Sequence, residues 1–423
     1  MFLIILFLIL VILGIPIFFA LGLASLFYVF FNDPNLLFNM PQRLFVTADN
    51  FNLMAIPFFV LVGEIMNTGG ITKRLYDFTR ALVGHFRGGL AYVTILISGF
   101  LSSLIGSSNA VAAITSSSLV PEMRKDGYSN EYASAVAASS SLLGPIIPPS
   151  VIFILYGATA GTSISAMFLA GIIPGFLLMC LFCLVAYIYA KKEDFPVKQR
   201  ENWKNIIFYF VKTLPAMLIP IVILGGITFG IFTPTESGAI GVLLAILIGK
   251  YLYKDLKIRD LYGVIVRAGI LTGSILVIAA IANYFGWILT LERIPQSIVE
   301  FLFGISTNPF ILLLLINLFL LIVGLFIEPL SAILIVVPVL IPLVDTLGID
   351  PIQFGIMVSI NLIVGMLTPP IGMVLFIVSS ITKVNILKLV RTSTPYLLVS
   401  ILLLILVTYI PELTTYLPSV LLD

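Results

Sequence analysis

The stretch Gly144-Pro145-Ile146-Ile147-Pro148-Pro149 interrupts an apolar run long enough to cross a membrane, and Gly365-Met366-Leu367-Thr368-Pro369-Pro370 does the same 221 residues later. The same offset sets Pro121 against Pro342 and Gly127 against Gly348. Proline has no backbone N–H and its ring collides with the preceding turn, so neither Pro-Pro pair fits inside an unbroken helix. In hydrocarbon the carbonyls freed at such a break need another partner, and a bound cation is a natural one. Paired interruptions at corresponding places in two apolar halves point to the binding site of a secondary transporter.

Composition agrees with a chain that lives in a bilayer. Of its 423 residues 60% are hydrophobic and 10% charged, against about 25% charged in soluble domains, and the mean hydropathy is +1.18. The apolar runs are continuous rather than alternating, which predicts helices and not membrane strands. Residues 1–31 are apolar without a basic leader or a small-residue cleavage site, and read as a retained span. Cys180 and Cys183 lie inside an apolar run as packing residues. His85, the single histidine, reads as a loop residue. With so few histidines and cysteines a membrane-embedded enzyme lacks its materials, and two local breaks do not make the continuous polar stripe of a channel. No phosphate-binding Gly-x-x-x-x-Gly-Lys-Ser/Thr loop is present, so uphill movement must draw on an ion gradient or another subunit.

The runs predict spans near 3–30, 50–67, 129–159, 165–190, 205–232, 235–252, 261–289, 351–382 and 393–411. The stretches 89–121 and 308–343 are too long for one span and too short for two, and read as re-entrant hairpins. Placing 68–88, 122–128, 191–204, 250–260 and 383–391 in the cytoplasm, with Lys212 and Arg267 at cytoplasmic span ends, gathers 20 of the 22 basic residues on one side. Arg43 and Arg293 fall outside, with Asp33, Asp49, Glu292, Glu300, Asp345, Asp350, Glu412 and Asp423. The N-terminus is then cytoplasmic and the C-terminus outside. The expected fold is an all-α polytopic membrane protein built from two inverted repeats. Repeat one is 1–190 (hairpin 89–121, broken helix 129–159). A connecting loop and span cover 191–232. Repeat two is 233–423 (hairpin 308–343, broken helix 351–382).

The first hairpin turns at Gly106-Ser107-Ser108-Asn109-Ala110, where hydroxyl, amide and backbone groups gather at the start of a half-helix whose positive end suits an anion. Small residues packing helices closely is the plainer reading. The second turns near Gly324-Leu325-Phe326-Ile327-Glu328-Pro329-Leu330-Ser331. A carboxylate such as Glu328 in an apolar setting marks a functional site by default, or caps the following helix. If the repeats fold alike, each Pro-Pro break faces its own hairpin turn. Cation ligands are then backbone carbonyls with hydroxyls from Ser107 or Thr368, a set that suits a hard cation such as sodium. Glu236 in Thr233-Pro234-Thr235-Glu236 reads as a helix cap as readily as a ligand. Residues 72–84 read either as an amphipathic helix on the cytoplasmic face or as a basic loop.

Pro121-Glu122-Met123, Gly127-Tyr128, the run 144–150, Phe232-Thr233-Pro234-Thr235-Glu236 and the run 365–372 together resemble the large membrane subunit of TRAP transporters (tripartite ATP-independent periplasmic transporters), of the DctM and SiaM kind, over nearly the whole chain. Ile114 and Ser116-Ser117-Ser118 depart from the small-residue pattern of that family. The resemblance implies a sodium-driven importer of an organic acid anion (a dicarboxylate, sialic acid or sugar acid) in the bacterial inner membrane, working by an elevator movement of the hairpins and broken helices against the remaining spans. It implies two Na+ sites, one at Ser107, Asn109, Gly144, Ile147 and Pro148, the other at Gly324, Gly365, Thr368 and Ile371. The substrate would lie between the hairpin turns at Ser107, Ser108, Asn109, Glu328 and Ser331. The implied partners are a small four-helix membrane subunit and a periplasmic substrate-binding protein, with no nucleic acid. The alternative is a stand-alone ion-coupled carboxylate or anion carrier of the same superfamily.

Overall fold

The described residues of this computed structural model are 2–193, 195, 197 and 199–422, without the side chains of residues 48, 102–105 and 345. The charges read above at Lys198, Asp345 and Asp423 lie outside that description. Every regular element among the described residues is a helix. In chain order these are α1 (Phe2–Ile12), α2 (Ile17–Asn32), α3 (Asn39–Ala48), α4 (Ala55–Thr68), α5 (Ile71–Val83), α6 (Gly89–Ile105), α7 (Ser108–Lys125), α8 (Asn130–Ser140), α9 (Val151–Ala160), α10 (Ile164–Lys192), α11 (Trp203–Thr228), α12 (Pro234–Leu247), α13 (Ile258–Leu291), α14 (Ile294–Ile305), α15 (Pro309–Phe326), α16 (Pro329–Leu347), α17 (Pro351–Gly365), α18 (Met373–Thr382), α19 (Ile386–Tyr409) and α20 (Glu412–Leu422).

Among the described residues six helices are long and apolar enough to cross a membrane: α10, α11, α12 with its continuation to Leu252, α13, α15 and α19. The expected single span over 3–30 is instead two helices packed on each other. Pro16 offers no N–H, and Gly14 between them has φ +79°, a conformation open to glycine. Residues 71–83 form the helix α5, bent 68° from α4. Its buried residues Ile71, Leu75, Phe78, Thr79 and Ala81 pack it against α6 and α11, so it is not a basic loop. The hinge needs Gly70 (φ +75°), where a Cβ would fall 2.3 Å from the Asp255 carboxylate. Sequence periodicity did not anticipate α14 and α20.

Helix ends follow local chemistry. Ser129, Ser163, Asn308, Asp350 and Asn385 each accept a backbone N–H at the helix they begin, satisfying donors that have no partner one turn back. Thr233 and Glu236 form a reciprocal capping box on α12, which assigns Glu236 the cap role.

Packing separates into two neighbourhoods. In one, α4 lies on α12 and α13, α11 on α12 and α5, and α13 on α2 and α3. In the other, α6, α7 and α8 pack together, α15 and α19 pack on α17, α16 on α9, and α18 on α7. Contacts of α13 with α16, of α5 with α6 and of α4 with α6 and α9 join them. The second neighbourhood is centred on the two broken helices: every residue from Tyr132 to Ile146 and from Gln353 to Leu367 is buried. In α8 the small residues Ala133-Ser134-Ala135 and Ala137-Ala138-Ser139 let neighbouring helices approach closely, the packing that works where water provides no driving force.

Candidate functional site

At the first tip the chain passes from α6 to α7 through Gly106 and Ser107. Gly106 takes φ +63° and backs onto Val151, the first residue of α9. The Ser107 hydroxyl accepts from the Ala110 N–H at 3.4 Å, capping α7. The first broken helix comes to this tip: a Cβ on Gly144 would lie 3.3 Å from the Ser108 nitrogen and 3.4 Å from the Ser107 carbonyl carbon. Beyond it the Ile147 side chain packs away from the tip, into spaces left by Gly99 and Gly175. The Ser150 hydroxyl donates to the Pro145 carbonyl at 2.5 Å.

The second tip runs from α15 to α16 through Ile327 and Glu328, and the second broken helix meets it backbone to backbone. A Cβ on Gly365 would sit 2.5 Å from the Gly324 carbonyl carbon, and one on Gly324 would sit 2.9 Å from the Leu362 oxygen. No side chain fits between them. The Thr368 hydroxyl donates to Val364 O at 2.8 Å and keeps lone pairs free. Ile371 is half-buried just past the Pro-Pro step. Both Pro-Pro bonds, 148–149 and 369–370, are cis. Among the described residues the carbonyls of Ile147 and Pro148 at one break, and of Gly324 and Thr368 at the other side, accept no hydrogen bond.

The tips meet. Asn109 Nδ2 points to Glu328 Oε1 at 3.5 Å across 219 residues of sequence, and a small gap there touches Ser108, Asn109, Pro145, Glu328 and Met366. Beside it opens a cavity of about 330 Å³, lined by Ser107, Asn109, Glu328 and Ser331 on one wall and by Glu64 of α4 and Ser274 of α13 on the other. Its volume suits a small ligand. The positive N-terminal ends of α7 and α16 both open onto it. Ser108 Oγ and Asn109 Oδ1 are buried without a hydrogen-bond partner, and an orphaned polar atom at such a place needs an explanation; a bound ligand is one. Glu328 occupies the cap position of α16, its carbonyl accepting from Ala332 N at 2.9 Å, while its carboxylate faces Asn109 rather than the helix. Glu64 is held by Arg267, 2.7 Å between Oε2 and Nε.

Sequence reading missed the polar layer behind each break. Asn361 Nδ2, on α17, donates to Asn317 Oδ1 at 2.7 Å, and Asn317 Nδ2 donates to Thr408 Oγ1 at 3.0 Å. The corresponding layer in the other broken helix is Ser98 to Ser140 at 2.8 Å. Asn317 and Asn361 inside apolar runs were a visible signal, since buried amides demand partners.

The model of the family described as "Tripartite ATP-independent periplasmic transporter, DctM component" matches residues 4–413. The chain is 36% identical to the C4-dicarboxylate TRAP transporter large permease protein DctM of Pseudomonas aeruginosa, over 95% of this chain and 94% of that one. It is 37% identical to the sialic acid TRAP transporter large permease protein SiaM of Vibrio cholerae, over 96% and 95%. Among solved structures it is similar to the YdaH transporter of Alcanivorax borkumensis, with a TM-score of 0.66 over 90% of each chain at 14% identity, a likeness of fold.

Proposed function

The chain belongs to the DctM component family of tripartite ATP-independent periplasmic transporters and is a multi-pass membrane protein; from that premise we propose that it is the large permease subunit of a sodium-coupled importer of an organic acid anion in the bacterial inner membrane. The observation that carries this is the convergence of both tips on one cavity, with both breaks at the small gap beside it where Asn109 reaches Glu328. A carboxylate entering the cavity meets Ser107, Asn109 and two helix N-termini, with the buried Ser108 hydroxyl in the gap beside it. Sodium, as co-transported substrate, is offered oxygen ligands only. At the first break these are the carbonyls of Gly144, Ile147 and Pro148 with Ser107 and Asn109 Oδ1. At the second they are those of Gly324, Gly365 and Ile371 with Thr368. Glu328 accepts from substrate hydroxyls or balances cation charge.

The packing supports an elevator movement. The neighbourhood holding the tips and breaks touches the other through few helices, so it can slide while carrying the cavity's polar wall with it. The two neighbourhoods, the basic side of the chain and the paired breaks support the inverted-repeat plan, with the N-terminus in the cytoplasm and the C-terminus in the periplasm. The exposed apolar faces of α11 and α13 suit lipid or a small membrane subunit, and a periplasmic binding protein would deliver the acid.

The test is uptake into vesicles carrying the complete three-part system. Replacing external sodium by potassium is expected to abolish accumulation of succinate or sialic acid, and undiminished uptake in potassium removes the sodium assignment. Asn109→Cys and Leu330→Cys are expected to change reagent accessibility together during turnover; constant labelling removes the moving domain.

A further inference from the structure

Leu334 of α16 lines the tip cavity and also a second cavity of about 330 Å³, bounded by α3, α9, α13 and α16. It lies toward the end of α13 that carries Trp287, opposite the end that carries Arg267. The distribution of Lys and Arg places that end outside. The two cavities differ in charge. Among the described residues the tip cavity is lined by Glu328 and by Glu64, the latter ion-paired with Arg267, and by no Lys or Arg. Among the described residues the outer one is lined by Arg43 and by no Asp or Glu.

The half-buried Arg43 guanidinium rests 4.8 Å over the Trp287 ring. Among the described residues it has no ion pair and no hydrogen-bond acceptor, so its five N–H donors are directed at no protein group. Other polar groups of the cavity are already engaged. The hydroxyls of Thr47, Thr159 and Thr290 donate to carbonyls one turn back, at 3.1, 2.7 and 2.9 Å, and the Asn50 carboxamide oxygen accepts from Asn52 N at 3.0 Å. The exposed Asn283, one turn before Trp287 on α13 and so on the same face, has no hydrogen-bond partner for its carboxamide among the described residues. What the cavity offers is a planar guanidinium lying over an indole, and one amide donor beside it. That is the donor geometry of a carboxylate site: guanidinium stacks on aromatic rings and pairs bidentately with carboxylate.

We propose that Arg43 and Asn283 form an outer receiving site for the carboxylate of the transported acid, filled before the acid reaches Ser108 and Asn109. This rests on the organic-acid reading above. Because α3 and α13 belong to the neighbourhood without the tips, the site stays fixed while the tips travel. Arg43 therefore holds the acid on the outer side only, and the tip cavity, lined by Glu328 and among the described residues by no Lys or Arg, releases it.

The chain has two tryptophans, Trp203 and Trp287, and Trp287 reports on its own cation. In the complete membrane complex, titration with succinate and with sialic acid at constant ionic strength is expected to give a saturable tryptophan fluorescence change with one of them. Chloride should give none, and Trp287→Phe should lack it. Arg43→Gln is expected to raise the half-saturating concentration about tenfold or more, the loss of one charge-assisted bidentate contact. Arg43→Lys, which keeps the charge but not the fork, should give a smaller rise and serves if the Gln variant fails to assemble. An unchanged half-saturation in Arg43→Gln, or in Arg43→Lys where that variant stands in for it, overturns the proposal. So does a wild-type complex that takes up one of the acids in vesicles with no Trp287-dependent signal. A wild-type complex that takes up neither acid and gives no signal overturns both this site and the organic-acid reading.

Discussion

Around Gly144 the broken helix meets the backbone of Ser107 and Ser108, 3.3–3.4 Å from a Cβ on the glycine, in a tip that also carries hydroxyls and the Asn109 amide; around Gly365 it meets the backbone of Gly324 far more closely, at 2.5–2.8 Å. Behind the first break two serines share one hydrogen bond, while behind the second Asn361, Asn317 and Thr408 form a chain of them. The first junction is thus adaptable, with hydroxyls that can turn toward a ligand, and the second is a steric fit backed by amides. Two corresponding junctions beside one cavity are built differently, one with hydroxyls and an amide at its tip and the other on close backbone approach.

The largest difference should appear with alanine at the two glycines. Gly365→Ala drives a methyl into the Gly324 backbone, where nothing can rotate away. We expect a loss of about 3 kcal/mol or more of stability and no measurable uptake. Gly144→Ala meets its nearest atom, Ser141 O, at 2.9 Å and should cost about 1–2 kcal/mol, with uptake retained in part. Thermal unfolding of the purified complex and vesicle uptake measure both; equal damage at the two sites would erase the distinction.

Next in size is the amide layer. Asn361→Ala strips Asn317 of its donor in a buried place and should destabilise by about 1–3 kcal/mol. Ser140→Ala, at the simpler layer, is expected to cost about 1 kcal/mol. Denaturation midpoints that fall together would show that both layers carry equal weight.

Glu328→Gln tests the shared wall. Its carboxylate faces the other tip instead of its own helix, so uptake should drop about tenfold, roughly 1.4 kcal/mol of transport barrier, with folded yield unchanged. Normal kinetics would reduce Glu328 to a helix cap. The smallest effect belongs to Ser107→Ala. Losing the acceptor that caps α7 costs about 1 kcal/mol, and a shift of the sodium half-saturation beyond that of Thr368→Val would place more of the cation's binding on the first junction.

Much of this was legible beforehand because it rests on short-range chemistry. Pro-Pro steps and their glycines announce breaks wherever they occur, and both tips fall where Gly106-Ser107 and Ile327-Glu328 interrupt apolar runs. The Thr233-Glu236 capping box follows from a three-residue spacing. The split of the first apolar run was within reach, since Gly14-Ile15-Pro16 carries the same punctuation on a smaller scale. Other features depend on partners far away in the chain. The repeat plan puts the second break opposite its own hairpin turn, but nothing in the residues around Gly324 says that its backbone and that of Gly365 will leave no room for a methyl, or that Asn317 and Asn361 will share a hydrogen bond. Arg43 reads as a stray outer charge until α13 brings Trp287 and Asn283 beside it.

By itself the sequence determined an all-helical membrane chain with two interrupted helices, two polar tips and a basic side, because helix breaks, caps and the energetic cost of charge in hydrocarbon act within one or two turns. Tertiary structure alone decided that Asn109 and Glu328 touch, that Gly324 and Gly365 leave no room for a methyl, and that one cavity takes Glu328 and an Arg267-paired Glu64 while the other takes a guanidinium with no ion pair among the described residues. Those outcomes depend on how helices tens to more than two hundred residues apart in sequence pack, and close-packed interiors admit few such arrangements.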